Sequence, residues 1–136
     1  MSLNIGFCRD IPSPFSDALV RVTQALQKEG FRVLTEIDLT HLLTHALGAG
    51  HAPVRLFSVV NPELAQTMLH IDTDLSLLLA CSVVVSGNDD GSSRVRIADP
   101  IQTLGPVAHP HIKPVADELN RRLTRVYLDV VVFSPA

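Results

Sequence analysis

Cysteine is scarce in this chain of 136 residues: Cys8 and Cys81 are too few for a disulfide framework and form no Cys-x-x-Cys motif. Concentrated positive charge is missing as well. The net charge is −3 and the basic residues are scattered. Phosphate-backbone binding needs a dense positive footprint, so nucleic acid is excluded as a partner. The apolar run from Leu75 to Val85 is about half the length that spans a bilayer, so no membrane association is expected. The opening Met-Ser-Leu-Asn-Ile-Gly-Phe-Cys-Arg-Asp has no basic stretch, apolar stretch and cleavage site in succession, so it is not a secretory signal. Gly87, Gly91 and Gly105 make neither nucleotide-binding fingerprint, and Ser58, Ser82 and Ser86 have no Gly-x-Ser-x-Gly setting. The expectation is a cytoplasmic protein with reduced thiols, no cofactor and no assigned catalytic residue.

Hydrophobic residues make up 46% and charged residues 18%, a globular balance in a length that suits one domain. The chain is organised around Asp74 to Pro100, which reads as a β-hairpin. Leu75 to Val85 is apolar apart from Ser76 and Ser82. Three consecutive valines, Val83, Val84 and Val85, favour a strand because β-branched side chains fit a pleated surface. Ser86 to Ser92 supplies turn residues. Arg94-Val95-Arg96-Ile97 alternates with period two, which puts both arginines on one face, and Asp99-Pro100 ends the strand. A strand apolar on both faces needs cover on both: by helices, or on one side by another subunit.

Before the hairpin, Leu3 to Cys8 reads as a first strand. Ser13-Pro14 then starts a helix, with Ser as cap and Phe15, Ala18, Leu19, Val22, Ala25 and Leu26 as its apolar face. Gly30 suits a left-handed stop. Phe31 to Asp38 alternates as strand two, with Phe31, Val33 and Ile37 on one face and Glu36 and Asp38 on the other. Asp38 or Thr40 caps a short helix carrying Leu39, Leu42, Leu43, Ala46 and Leu47 and stopped by Gly48. Val54 to Val60 is strand three. Asn61-Pro62-Glu63 opens a helix with Leu64, Ala65, Met68 and Leu69 as its buried stripe. A final helix runs from about Pro114 to Val130, with Val115, Leu119, Leu123, Val126, Tyr127 and Val130 inward. The order β-α-β-(short α)-β-α-β-β-α predicts an α+β two-layer sandwich, with a mostly antiparallel sheet and helices packed on one face.

Several phrases in order resemble the domain-of-unknown-function family 302. They are Glu29-Gly30-Phe31 with Leu34-Thr35-Glu36-Ile37-Asp38, Asn61-Pro62-Glu63-Leu64-Ala65, Leu78-Leu79-Ala80-Cys81-Ser82-Val83-Val84, Asp90-Gly91 with Val95, and Asp99-Pro100. The resemblance spans about residues 5–130. It implies a TATA-binding-protein-like β-α-β(4)-α sandwich, homodimers in some members, and an accessory role in thiol or sulfur metabolism, but no established activity. The chain departs from the family pattern in having Val60 before Asn61-Pro62 in place of Cys. It also has Leu79-Ala80-Cys81-Ser82 in place of Leu-Pro-Cys-Asn, so a dithiol from those motifs cannot form.

Two groups carry candidate chemistry. Cys81 has small neighbours and would become a reactive thiolate if Arg55 or Arg96 lowered its pKa; otherwise it is a buried small hydrophobe. Glu36 and Asp38, met by Arg55 and Arg96 from other strands, would bind a polar ligand; otherwise they are a solvated face, with Asp38 as a cap. Asn61 joins these as a candidate ligand-binding residue. His41 and His45, four apart and followed by His51, share a helix face, but His-Leu-Leu-Thr-His is no zinc-protease motif, and no metal is assigned. The expected function is a homodimer that binds a small molecule or partner protein through the hairpin region. The alternative is a thiol-dependent enzyme or sulfur carrier using Cys81, with Glu36 or Asp38 as acid/base.

Overall fold

Five strands form one antiparallel sheet in the spatial order β1-β5-β4-β3-β2 in a computed structural model that describes residues 5–48 and 52–132. The strands are β1 (Gly6–Ile11), β2 (Arg32–Asp38), β3 (Val54–Val60), β4 (Cys81–Gly87) and β5 (Ser93–Ala98). The helices are α1 (Phe15–Lys28), α2 (Leu39–Leu47), α3 (Pro62–Ile71), α4 (Pro100–Leu104) and α5 (Ile112–Val132). With the short helices set aside, the order is β-α-β(4)-α. This is the expected α+β sandwich.

Register follows from side-chain alternation. Val83 of the central strand stands opposite Phe57 on β3 and Ile97 on β5, and Val85 stands opposite Val95. These five, together with Val59, are at most 2% exposed. Above them lie Ala18, Val22, Ala25 and Leu26 of α1 and Val115, Leu119, Leu123, Val126 and Val130 of α5, all buried at helical spacing. The opposite face of the sheet has no covering layer among the described residues. A central strand under helices on both sides is therefore not what the chain builds.

The apolar run from Leu75 to Val85 is not one strand. Thr73–Leu78 is a 3-10 helix whose start is captured locally, because the Asp72 carboxylate accepts from the Asp74 N–H at 2.8 Å. Leu75 turns into the core while Leu77 is 88% exposed, and the strand begins only at Cys81. The first strand is also displaced, to Gly6–Ile11; Leu3 lies outside the described residues. Ser13 does not cap α1. Pro14 occupies the N-cap position without a side-chain bond, and the buried Ser13 contributes its carbonyl to Ser93 Oγ at 2.7 Å. Asp99 does more than end β5: its carboxylate accepts from Ile101 N–H at 2.9 Å and starts α4, which the sequence pattern did not reveal.

Other local signals hold. Asn61 caps α3 by accepting from Leu64 N–H at 3.1 Å, and Asp38 caps α2 by accepting from His41 N–H at 3.0 Å. Gly30 has φ +83°, a left-handed conformation that side-chain-bearing residues rarely adopt. Strand two carries a bulge between Val33 and Thr35. The extra residue turns the strand over, so Val33, Glu36 and Asp38 share the helix-covered side and Ile37 points out. The expected pairing of Val33 with Ile37 is thereby reversed.

Adjacent residues on β3 test this assignment of faces. Phe57→Ala should lose about 3–5 kcal/mol in a urea titration, as for a fully buried aromatic. Leu56→Ala, on the open side, should lose a small fraction of that. Equal losses would contradict the assignment.

Candidate functional site

The bulge in β2 brings Glu36 and Asp38 to the side from which Arg55 rises. Arg55 Nη1 donates to Glu36 Oε1 at 2.6 Å, and its Nη2 is 3.9 Å from Asp38 Oδ2. Arg55 Nε is closed off from solvent and finds no acceptor among the described residues. The two carboxylates are about half exposed, at 44% and 50%. Such pairs contribute about 0–1 kcal/mol each. The group forms an ionic clasp between the edge strand, β3 and the start of α2. Arg96 does not join it. On β5 it pairs in register with Val84 and Cys8, on the opposite face of the sheet, where its Nη1 donates to Ser86 Oγ at 3.3 Å.

Cys81 faces the helical side, opposite Val59 on β3. Burial pushes its thiol up to about 11. Neither arginine is placed to offset this. Arg96 is on the other face, and Arg55 stands opposite Val85, four residues along β4, or about 13 Å away at strand rise. Asn61 is 3% exposed. Besides capping α3, its side-chain amide donates to the Glu29 carbonyl at 3.4 Å, tying α3 to the end of α1. This explains the residue as a joint between helices.

His41 and His45 have ring centroids 4.2 Å apart, while His51 lies outside the described residues. His109 Nδ1 accepts from the His111 N–H at 3.2 Å, a local loop contact. Among the described residues no group of three or more His, Cys, Asp or Glu is placed to hold a metal ion. A cleft of about 330 Å³ lies between α1 and α5, lined by Ala25, Lys28, Glu29, Arg125, Leu128 and Asp129. Its charges are engaged with each other, Arg125 with Glu29 at 3.0 Å and Lys28 with Asp129 at 3.7 Å. It contains none of the sequence-derived candidates.

The open face of the sheet has an internal division. Across β4, β3 and β2 the register aligns Val84, Leu56 and Ile37 in one row, with Val54 beside Leu56 along β3; Val60 lies beyond Ser58 and stands opposite Arg32. Ser82, Ser58 and Thr35 form the next row, uncharged and small. Across β5 and β1 the same face is ionic. Arg94 Nε and Nη2 fork onto the two carboxylate oxygens of Asp10, at 2.6 and 3.0 Å, and Asn88 Nδ2 donates to Asp10 Oδ1 at 3.3 Å. The bonded Arg94 guanidinium holds the Asp10 carboxyl below its usual range. Exposed Cys8 lies on this ionic half. The sequence pattern missed Asp10 because it ended the first strand at Cys8. The alternation of Phe7, Arg9 and Ile11 with Cys8 and Asp10 is too weakly amphipathic to mark two faces.

Two measurements check this picture. In the folded protein near neutral pH a thiol reagent should label Cys8 readily and half-buried Cys81 far more slowly, with the difference lost in denaturant; equal rates in the folded protein would contradict the raised thiol pKa. Because the folded pKa of Asp10 is depressed, its pairing stabilises the fold above the ordinary carboxylate range and is lost as pH falls through the lowered value. The melting temperature of Arg94→Gln should therefore lie below that of the wild type at pH 7, and the gap should close on acidification.

Among the described residues, no helix is long and apolar enough to cross a membrane. No curated protein matches the chain. The family described as Domain of unknown function DUF302 matches residues 7–130. The chain is also similar to the crystal structure of an uncharacterized conserved DUF302 protein from Bacillus stearothermophilus, with a TM-score of 0.84 and 23% identity over 95% of this chain and 99% of that one. At that identity the likeness shows the fold.

Proposed function

The chain belongs to the DUF302 family, a domain of unknown function, and from that premise we propose that it is a homodimeric interaction module whose open sheet face seats a second copy of itself. The observation that carries this reading is the uncovered apolar band of Val84, Leu56, Ile37, Val54 and Val60. An antiparallel sheet with one face in water ordinarily shows polar residues there. On β3 three of the four outward residues, Val54, Leu56 and Val60, are apolar.

A second copy fits because the row of Val84, Leu56 and Ile37, with Val54 beside it, is uncharged and therefore self-compatible under two-fold symmetry, while Arg32 stands opposite Val60 at the far end of the β2–β3 ladder. The division of the face also selects an arrangement. A two-fold axis parallel to the strands and over β3 lays apolar half on apolar half and leaves Asp10, Arg94 and Arg96 at the solvated rim. An axis across the strands would stack the ionic halves and desolvate charge.

The thiol alternative has less support. A thiol raised to about 11 stays protonated at neutral pH, which disfavours Cys81 as a nucleophile or sulfur carrier. A small-ligand role at Glu36, Asp38 and Arg55 is disfavoured by the engagement of Arg55 with both carboxylates.

Light scattering on the eluted protein at high micromolar concentration should give twice the chain mass of 14.8 kDa. Leu56→Asp with Val84→Asp should reduce it to the single-chain mass with unchanged circular dichroism. A wild type of single-chain mass at every concentration would end the proposal.

A further inference from the structure

We infer that the contact with the second copy extends beyond the sheet onto α2, whose apolar stripe meets the same stripe of the other chain. This rests on the dimer reading above and adds the element that completes its surface. The first argument is area. Three strands about 4.8 Å apart and about 22 Å long offer roughly 300 Å² per copy. A stable interface commonly buries about 800 Å² per partner, and even a weak one approaches half of that or more. The apolar half of the sheet alone gives at most a weak contact.

The second argument is α2 itself. At helical spacing Leu42, Ala46, Leu39, Leu43 and Leu47 occupy one continuous arc of about 140°, wide enough for a core-facing helix. No residue of α2 is buried, and Leu42 and Leu47 are 53% and 72% exposed. The start of the helix is tied to the loop before β3. Thr40 Oγ1 accepts from Val54 N–H at 2.8 Å and donates to the Ala52 carbonyl at 3.3 Å, and Asp38 supplies the cap. Its packing is on β3, the strand that carries Val54 and Leu56 on the open face. Leu39 and Leu43, at the middle of the stripe, are partly covered, while Leu42, Ala46 and Leu47 are left exposed among the described residues.

The third argument is symmetry. An axis parallel to the strands keeps both ends of the two sheets together, and α2 lies at the Asp38–Arg55 end of the β2–β3 ladder next to that axis. The two copies of α2 then fall at the same end of the dimer, beside each other. On α2, His41 and His45 lie on the helix side away from the stripe, and on the sheet Arg32 stands at the opposite end of the β2–β3 ladder from α2.

The test is sedimentation equilibrium on the wild type, on Leu42→Glu with Leu47→Glu, and on Gln27→Glu, which adds charge to the exposed surface of α1 instead. The inference predicts a dimer dissociation constant raised at least tenfold by the α2 pair and unchanged by the α1 control. Leu42→Ala with Leu47→Ala should raise it several-fold while preserving helix propensity, so a folding defect in the glutamate pair would not decide the matter. A dimeric wild type whose constant is the same in both α2 variants would overturn the role of α2 and leave the sheet contact standing. A monomeric wild type would overturn both.

Discussion

Strand alternation is the constraint on which the rest depends. Val83 is held between Phe57 on one side and Ile97 on the other, with Val85 opposite Val95 and Val59 opposite Cys81, all facing α1 and α5. A slip of one residue would exchange every inward side chain for an outward one, so burial of this face fixes the register of β3, β4 and β5. The same alternation decides what is presented on the other side. Burying Phe57 and Val59 obliges Leu56, Ser58 and Val60 to face out. The open surface is thus a by-product of the core register, and its composition is where the sequence has freedom. The chain uses that freedom differently along the sheet: on β2, β3 and β4 Val84, Leu56, Ile37, Val54 and Val60 lie among Ser82, Ser86, Ser58, Thr35 and Arg32, whereas Asp10, Arg94 and Arg96 make β5 and β1 ionic.

The ionic groups have separate tasks. The Asp10–Arg94 fork joins β1 to β5 on the open face, whereas the Glu36–Arg55–Asp38 clasp joins β2, β3 and α2 on the other. Only the bulge at Val33–Thr35 allows the clasp, since without the extra residue Glu36 would face away from Arg55. Asn61 and Gly30 make a further joint, where the amide of Asn61 reaches the Glu29 carbonyl and a side chain on Gly30 would come within 3.3 Å of that amide.

Much of the fold was legible because its signals are local or periodic. The span of β3, the caps at Asp38 and Asn61, the stops at Gly30 and Gly48 and the inward face of α5 follow from chain chemistry within a few residues. The misreadings share a different cause. Leu75 to Leu79 looks like strand because it is apolar, but a carboxylate at Asp72 captures the backbone before pairing begins. The bulge in β2 has no glycine or proline to announce it, so period-two counting put Glu36 and Ile37 on each other's faces. Arg55 and Arg96 look equivalent in sequence, and strand register alone sends one to each side of the sheet. The doubly apolar character of the hairpin was readable at Val84. That the second face would be left without a layer depends on where α2 and α3 go, which no short-range pattern encodes.

The central claim is that the apolar half of the open face lies on its counterpart in a second copy. Cys8 offers a direct probe, since it is exposed on β1 while Cys81 is half-buried against the core with its thiol pushed up to about 11. β1 is three strands from β3, so a two-fold axis over β3 places the two labelled positions about 30 Å apart, from strand spacing and the separation of packed sheets. Double electron–electron resonance on nitroxide-labelled protein should show one narrow distribution near that distance. Absence of dipolar modulation at dimer-forming concentration, or a separation of about 10 Å as expected for stacked ionic halves, would contradict the account.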